Sequence, residues 1–194
     1  METETIRTLT AREAELLLDV IEKEILPLTE VLVRQGHNLF GAAVLDGVTL
    51  RTLTVGSNRR GDNPVFHGEI DTILRFFELP HRPGAEETLF LATHEPCSMC
   101  LSALAWSGFR EVWHLFDYDE TASDFHMADD LKMLESLFGT TSPNRDNAYF
   151  RLRAIREALD GLEAGDRKRL EARIARIKEL YRELPVVLDE DEEA

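Results

Sequence analysis

The residues whose types and spacing suit chemistry are His67, Glu69, Cys97 and Cys100. One imidazole and two thiols fill three of the four positions of a tetrahedral zinc site. A zinc held by three protein ligands keeps a place for water, which marks a catalytic rather than a structural site. Glu69 lies two residues after the histidine, close enough to handle that water's protons without binding the metal. Two other readings compete. A C-x-x-C pair in a cytosolic α/β protein is also a thioredoxin-like redox motif. A closed structural site would need a fourth ligand, for which His94 and His81 are candidates. Pro96 directly before the pair and His67-x-Glu69 upstream favour zinc with an open position.

The order H-x-E followed by P-C-x-x-C is the signature of zinc nucleobase deaminases, and the stretch from His67 to Cys100 resembles the cytidine deaminase-like superfamily. The likeness covers roughly Phe40 to Phe116. Phe40-Gly41-Ala42 looks like the first-strand motif of bacterial guanine deaminases and tRNA adenosine deaminases. Asn63-Pro64-Val65-Phe66-His67 resembles their D-P-T-A-H, with Asn in place of Asp, and Glu95-Pro96-Cys97-Ser98-Met99-Cys100 resembles their E-P-C-x-M-C. The resemblance implies Zn2+ on His67, Cys97 and Cys100, with Glu69 as the catalytic proton carrier. It also implies an asparagine on the substrate at Asn58 and a homodimer. His67-Gly68-Glu69 departs from the common H-A-E and is similar to fungal cytosine deaminase, which would put the Gly68 backbone on the base. Trp106 after Leu104-Ala105 resembles guanine deaminases instead, so the two likenesses point to different bases.

Further substrate contacts follow from residue type. Phe66, Phe116 and Tyr118 would stack on a planar ring. Asp117, Asp119, Glu120 and Asp124 would accept from ring N–H or amino groups, Asp117 first by resemblance. The competing reading is that the aromatics are core and the acids a solvated loop.

These side chains need elements to hold them. Thr10 and Glu13 form a capping box before Ala14, Leu17, Leu18, Ile21 and Ile25, which share one helical face. A first helix is expected from about 11 to 26, ended or kinked by Pro27, with a further apolar stripe up to Gly36. Two β-prone runs, 39–45 and 50–56, flank the hairpin signal Asp46-Gly47. Residues 58–64 are dense in turn formers. Ile70, Ile73, Leu74 and Phe77 mark a helix over 68–79. A buried strand at 88–93, an apolar helix at 97–106 and a strand at 111–116 follow. Strands alternating with helices imply a partly parallel, mixed sheet covered on both faces, a three-layer α/β/α sandwich of cytidine deaminase-like type with added C-terminal helices. In such sheets ligands lie where strands end and helices begin, and His67, Cys97 and Cys100 all fall at expected helix starts. Beyond 116 the expectation is an acidic loop, a short helix over 128–137, and helices over 148–162 and 166–183, the last capped by Asp166. The domain division expected is 1–145 for the deaminase domain, 146–185 for a C-terminal helical hairpin packed on it or serving as a dimerisation arm, and 186–194 for an acidic tail.

Bulk properties narrow the function. At 194 residues, 43% hydrophobic and 30% charged, the chain reads as an ordinary globular domain. A net charge of -15 suits a polyanionic partner badly, because nucleic-acid binding is largely phosphate neutralisation. The N-terminus lacks the pattern of a secretory signal, and no apolar run approaches the ~20 residues of a membrane helix. Two cysteines in one C-x-x-C give no disulfide framework, so a cytoplasmic setting is expected. The function expected is zinc-dependent hydrolytic deamination of a small heterocycle, cytosine or guanine, with release of ammonia. The alternatives are a tRNA adenosine deaminase, a nucleoside or nucleotide deaminase recognising phosphate through Arg59-Arg60, and a zinc-stabilised interaction protein.

Overall fold

The first helix begins where its capping residues place it. In the computed structural model, which describes residues 7–125 and 129–185, the Thr10 N–H donates to the Glu13 carboxylate at 2.9 Å and the Glu13 N–H to the Thr10 hydroxyl at 3.2 Å. Helix α1 spans Ala11–Val20. Pro27 does not end it. The chain widens into a π turn, Ile21–Ile25, in which the Leu26 N–H reaches back to the Ile21 carbonyl, and it resumes as α2, Leu26–Val33. Proline has no N–H and its ring clashes with the carbonyl four residues back; a wider turn relieves both. Gly36, at φ 90°, closes the segment.

Strands β1 (Gly41–Asp46) and β2 (Thr52–Ser57) form the expected antiparallel hairpin. The Asp46 carboxylate accepts from the N–H groups of Val48 and Thr49, at 3.2 and 2.7 Å, and so closes the turn. Helix α3 (Gly68–Glu78) follows, then β3 (Thr88–His94), α4 (Ser98–Ser107) and β4 (Glu111–Phe116). Gly108 ends α4 in the left-handed conformation, φ 86°. The sheet order is β2-β1-β3-β4-β5, where β5 is Arg151–Ala154; β1 is antiparallel to both neighbours, and β3, β4 and β5 are parallel.

Successive strand residues serve opposite layers. Ala42, Val44, Phe90, Ala92 and Val112 pack under α3 and α4, while Ala43, Leu45, Leu89, Leu91, Trp113 and Leu115 pack against α1 and α8, which is Ala164–Arg182. Burial on both faces explains the near-continuous apolar runs of the central strands. The result is the expected three-layer α/β/α sandwich.

Four expectations need correction. Residues 118–124 are not a loop but a helix, α5 (Tyr118–Asp124), started by a capping box in which the Glu120 N–H donates to the Asp117 carboxylate at 2.8 Å. Helix α6 (Asp129–Phe138) then agrees with expectation. Residues 148–162 are not one helix. They contain β5, a single helical turn α7 (Ile155–Ala158) and a 3₁₀ turn. Leu152 and Ala154 point inward while Arg151 and Arg153 point out, a period of two, and pairing with β4 favours the strand. Because β5 completes the sheet, no boundary falls at 145/146 and no helical hairpin forms. Helix α8 does bury Leu170, Ile174, Ile177 and Tyr181 as expected, but Glu163 rather than Asp166 holds its cap position. Arg173 ties α8 to Asp19 and Glu22, so α8 is part of one layer with α1. The expected acidic tail, 186–194, lies outside the described residues.

Candidate active site

His67 is the cap residue of α3, and Cys97 that of α4, with Cys100 in the first turn of α4. Both cap residues are extended, and neither side chain caps its own helix. The imidazole and the thiol therefore face across the gap between the two helices. Cys97 Sγ lies 3.6 Å from His67 Nδ1, and the donor atoms of His67, Cys97 and Cys100 all lie within 4.8 Å of one another. Tetrahedral zinc, with bonds of ~2.3 Å to sulfur and ~2.0–2.1 Å to nitrogen, asks for donors roughly 3.5–3.8 Å apart. The three residues fit the ion. No other such cluster of three His, Cys, Asp or Glu occurs among the described residues. The competing fourth ligands are elsewhere: His81 is exposed in the turn after α3, and His94 bonds Thr93 at 3.0 Å inside an aromatic cluster.

Glu69 is buried in the first turn of α3, its Oε2 3.4 Å from Cys100 Sγ. Burial, reinforced by the charge on Cys97, pushes its carboxyl up to about 7. The Cys97 thiol is drawn down to about 4 by the hydrogen bond from Cys100, with burial opposing and His67 assisting. Its bond with Cys97 raises His67 to about 9. Burial drives Cys100 upward. The neighbours of Cys97 thus favour its thiolate, the form that binds metal.

Asn58, at the end of β2, is fully enclosed. Its N–H donates to the Phe40 carbonyl at 2.7 Å, and its Oδ1 accepts from the N–H groups of Asn38 and Arg60, at 3.2 and 2.9 Å. Its Nδ2 is buried and has no partner among the described residues. That is an oriented donor awaiting an acceptor. Gly68 sits where a Cβ would come within 2.4 Å of the Phe40 carbonyl oxygen, so the start of α3 can meet β1 only as glycine. The same contact explains the departure from H-A-E. Phe66 is half-buried beneath the Arg59 guanidinium, 5.0 Å from its centroid.

Two expected substrate contacts are corrected. Phe116 is wholly buried among His94, Phe125 and Tyr181, a core ring with no surface to offer. Asp117 is spent on capping α5. Its neighbours are also engaged: Glu120 with Arg156 and Lys178, and Asp124 with Lys178 and Arg182. Sequence reading missed three groups at the site. Asp71, one turn after His67, accepts from Ser57 N–H, Arg59 and Arg75 and so fixes the Asn58 loop; its i+4 spacing from His67 was a usable signal. Asp130 adds to the upward pull on His67. Arg145 bonds Glu95 across fifty positions, for which no local signal exists.

Residues 24–115 match the family model described as the cytidine and deoxycytidylate deaminase zinc-binding region. No curated protein matches the chain in sequence at a significant level. Among solved structures, guanine deaminase from Bacillus subtilis superposes with a TM-score of 0.50 at 20% identity, covering 69% of this chain and 80% of that one. A mutant of NE0047 in complex with 8-azaguanine gives a TM-score of 0.50 at 14% identity, covering 92% and 98%. Guanine deaminase from Nitrosomonas europaea gives 0.48 at 18%, covering 89% and 87%. At these identities the likeness is one of fold. Zinc donors opposite a buried glutamate, in a sheet of this order, place the chain in a class of hydrolases that remove amino groups from cyclic amidines. Residues 24–115, the part similar to the zinc-binding region of cytidine and deoxycytidylate deaminases, contain His67, Glu69, Cys97 and Cys100.

Proposed function

We propose that the protein hydrolytically deaminates a free nucleobase, guanine or cytosine, or a closely related amino-heterocycle. The observation that carries this is the buried Glu69 carboxylate 3.4 Å from a ligand sulfur, beside a donor set of three. His67 Nδ1, Cys97 and Cys100 would hold zinc, which when bound lowers the pKa of a coordinated water from ~15.7 towards ~7. Glu69 takes the proton of the attacking water and passes it to the ring nitrogen beside the amine-bearing carbon. It then takes the second proton from the hydroxyl now on that carbon and delivers it to the amino group, which leaves as ammonia as the C–N bond breaks and the carbonyl forms. Its carboxyl is buried beside the donor set, placed to take a proton from water and hand it on. Asn58 Nδ2 donates to an acceptor on the base and orients it, the Gly68 backbone lies against the base, and Phe66 flanks it.

The remaining chemistry favours a small neutral substrate. Arg59, a cation suited to a nucleotide phosphate, is held by Asp71 and Asp62. The net charge of -15 opposes a tRNA substrate. No helix among the described residues is long and apolar enough to cross a membrane. We also infer a homodimer, supported by apolar side chains exposed on α3 and α4, namely Leu74, Phe77 and Trp106, and a cytoplasmic setting, which keeps both cysteines as thiols. Light scattering on the purified protein tests the dimer.

The decisive assay incubates zinc-loaded protein with aminated bases, nucleosides and nucleotides and follows ammonia. Free bases should be consumed with equimolar ammonia, and E69Q should keep its zinc while losing at least ~10²–10⁴-fold in turnover. Turnover of nucleosides or tRNA alone would overturn the free-base reading. Undiminished turnover in E69Q would remove Glu69 from the mechanism.

A further inference from the structure

Only Glu95 and Pro96 separate the end of β3 from the first ligand sulfur. Several of the groups that hold this connection lie beyond residue 115, outside the family match. The Tyr118 hydroxyl donates to the Pro96 carbonyl at 2.6 Å. The Tyr181 ring packs against His94, with centroids 5.7 Å apart. The most specific hold is on Glu95, whose side chain has 0% exposure. Arg145, from the segment between α6 and β5, donates to it with two parallel bonds, Nε to Oε1 and Nη2 to Oε2, both 2.7 Å. The main chain is fixed as well, since the Glu95 N–H donates to the Phe116 carbonyl at 2.8 Å.

A carboxylate with no exposed surface needs a fixed countercharge, and a forked guanidinium also fixes its direction. Deprived of Arg145, Glu95 would have to turn towards water, carrying Pro96 and Cys97 with it. We propose that Arg145 is a positioning residue for the metal site, which acts through Glu95 to set the placement of the Cys97–Cys100 pair. The proposal rests on the zinc reading above. It predicts that zinc affinity depends on a residue with no contact to the ion, as outer partners of metal ligands do at a cost of ~10–100-fold in affinity.

The test measures zinc affinity of the full chain by competition with a chromophoric chelator, with thermal midpoints of the metal-free proteins in parallel. R145M should weaken zinc binding at least tenfold. The double variant E95Q/R145M, whose neutral amide needs no countercharge, should recover most of that loss. E157Q, which removes the other, exposed partner of Arg145, should leave affinity unchanged. If R145M does not fold, R145K keeps the charge without the fork and should still weaken binding at least threefold. A zinc affinity within twofold of the parent in R145M, or in R145K if that is the variant measured, would overturn the proposal even if the thermal midpoint fell. A double variant no better than R145M would overturn the route through Glu95. Failure of the parent protein to bind zinc would instead refute the metal reading itself.

Discussion

At the scale of single residues, the site separates groups that would touch the substrate from groups that aim them. Asn58 shows the distinction within one side chain: its oxygen is consumed by two backbone donors, while its nitrogen has no partner among the described residues. N58D keeps the acceptor and deletes the donor. It should lower kcat/KM by ~10²-fold or more, as expected when a buried substrate hydrogen bond is lost, with zinc content unchanged. Steady-state kinetics beside metal analysis checks this, and an unaltered kcat/KM would show that Nδ2 does not meet the substrate. The donor cluster His67, Cys97 and Cys100 was legible because the residue types and their spacing are themselves the chemistry. Phe116 and Asp117 were misread because an aromatic ring or an acid beside a site fits core packing or capping equally well. Only the third dimension separates those uses.

At the scale of elements, the strands and helices flanking the metal were readable from local pattern. The capping box at Thr10, the Asp46-Gly47 hairpin and the α3 periodicity all formed as written in the chain. What escaped depends on partners distant in sequence. Strand β5 is short and has an apolar content compatible with either period, so its pairing with β4 decides it. The π turn before Pro27 answers a clash that local pattern announces without saying how it is resolved. Close packing of elements also fixes Gly68. G68A would drive its methyl into the Phe40 carbonyl, 2.4 Å away, and should destabilise the fold by ~1–3 kcal/mol through overpacking. Urea denaturation would register this as a lower midpoint, and an unchanged midpoint would mean the α3–β1 contact relaxes freely.

At the scale of the whole molecule, the C-terminal helix closes the layer behind the site. Tyr181 reaches from α8 to His94, and Lys178 and Arg182 grip α5 through Asp124. Two histidines are buried in the molecule, His94 beside Tyr181 and His114 in β4. Burial holds His94 down to about 3 and also lowers His114. A folded-state pKa below the unfolded value means stability is complete above ~6.5 and is lost as pH falls from there towards 3. Urea midpoints should therefore drop between pH 7 and 5, and H94F should flatten that slope. An equal slope in both proteins would refute the assignment.

The proposed chemistry depends on a zinc ion bound by one imidazole and two sulfurs with a place left open. X-ray absorption at the zinc edge of the loaded protein tests it most directly. The expected first shell is two sulfurs at ~2.3 Å and two lighter atoms at ~2.0–2.1 Å, with outer scattering from a single imidazole. Two imidazoles, or fewer than two sulfurs, would contradict it.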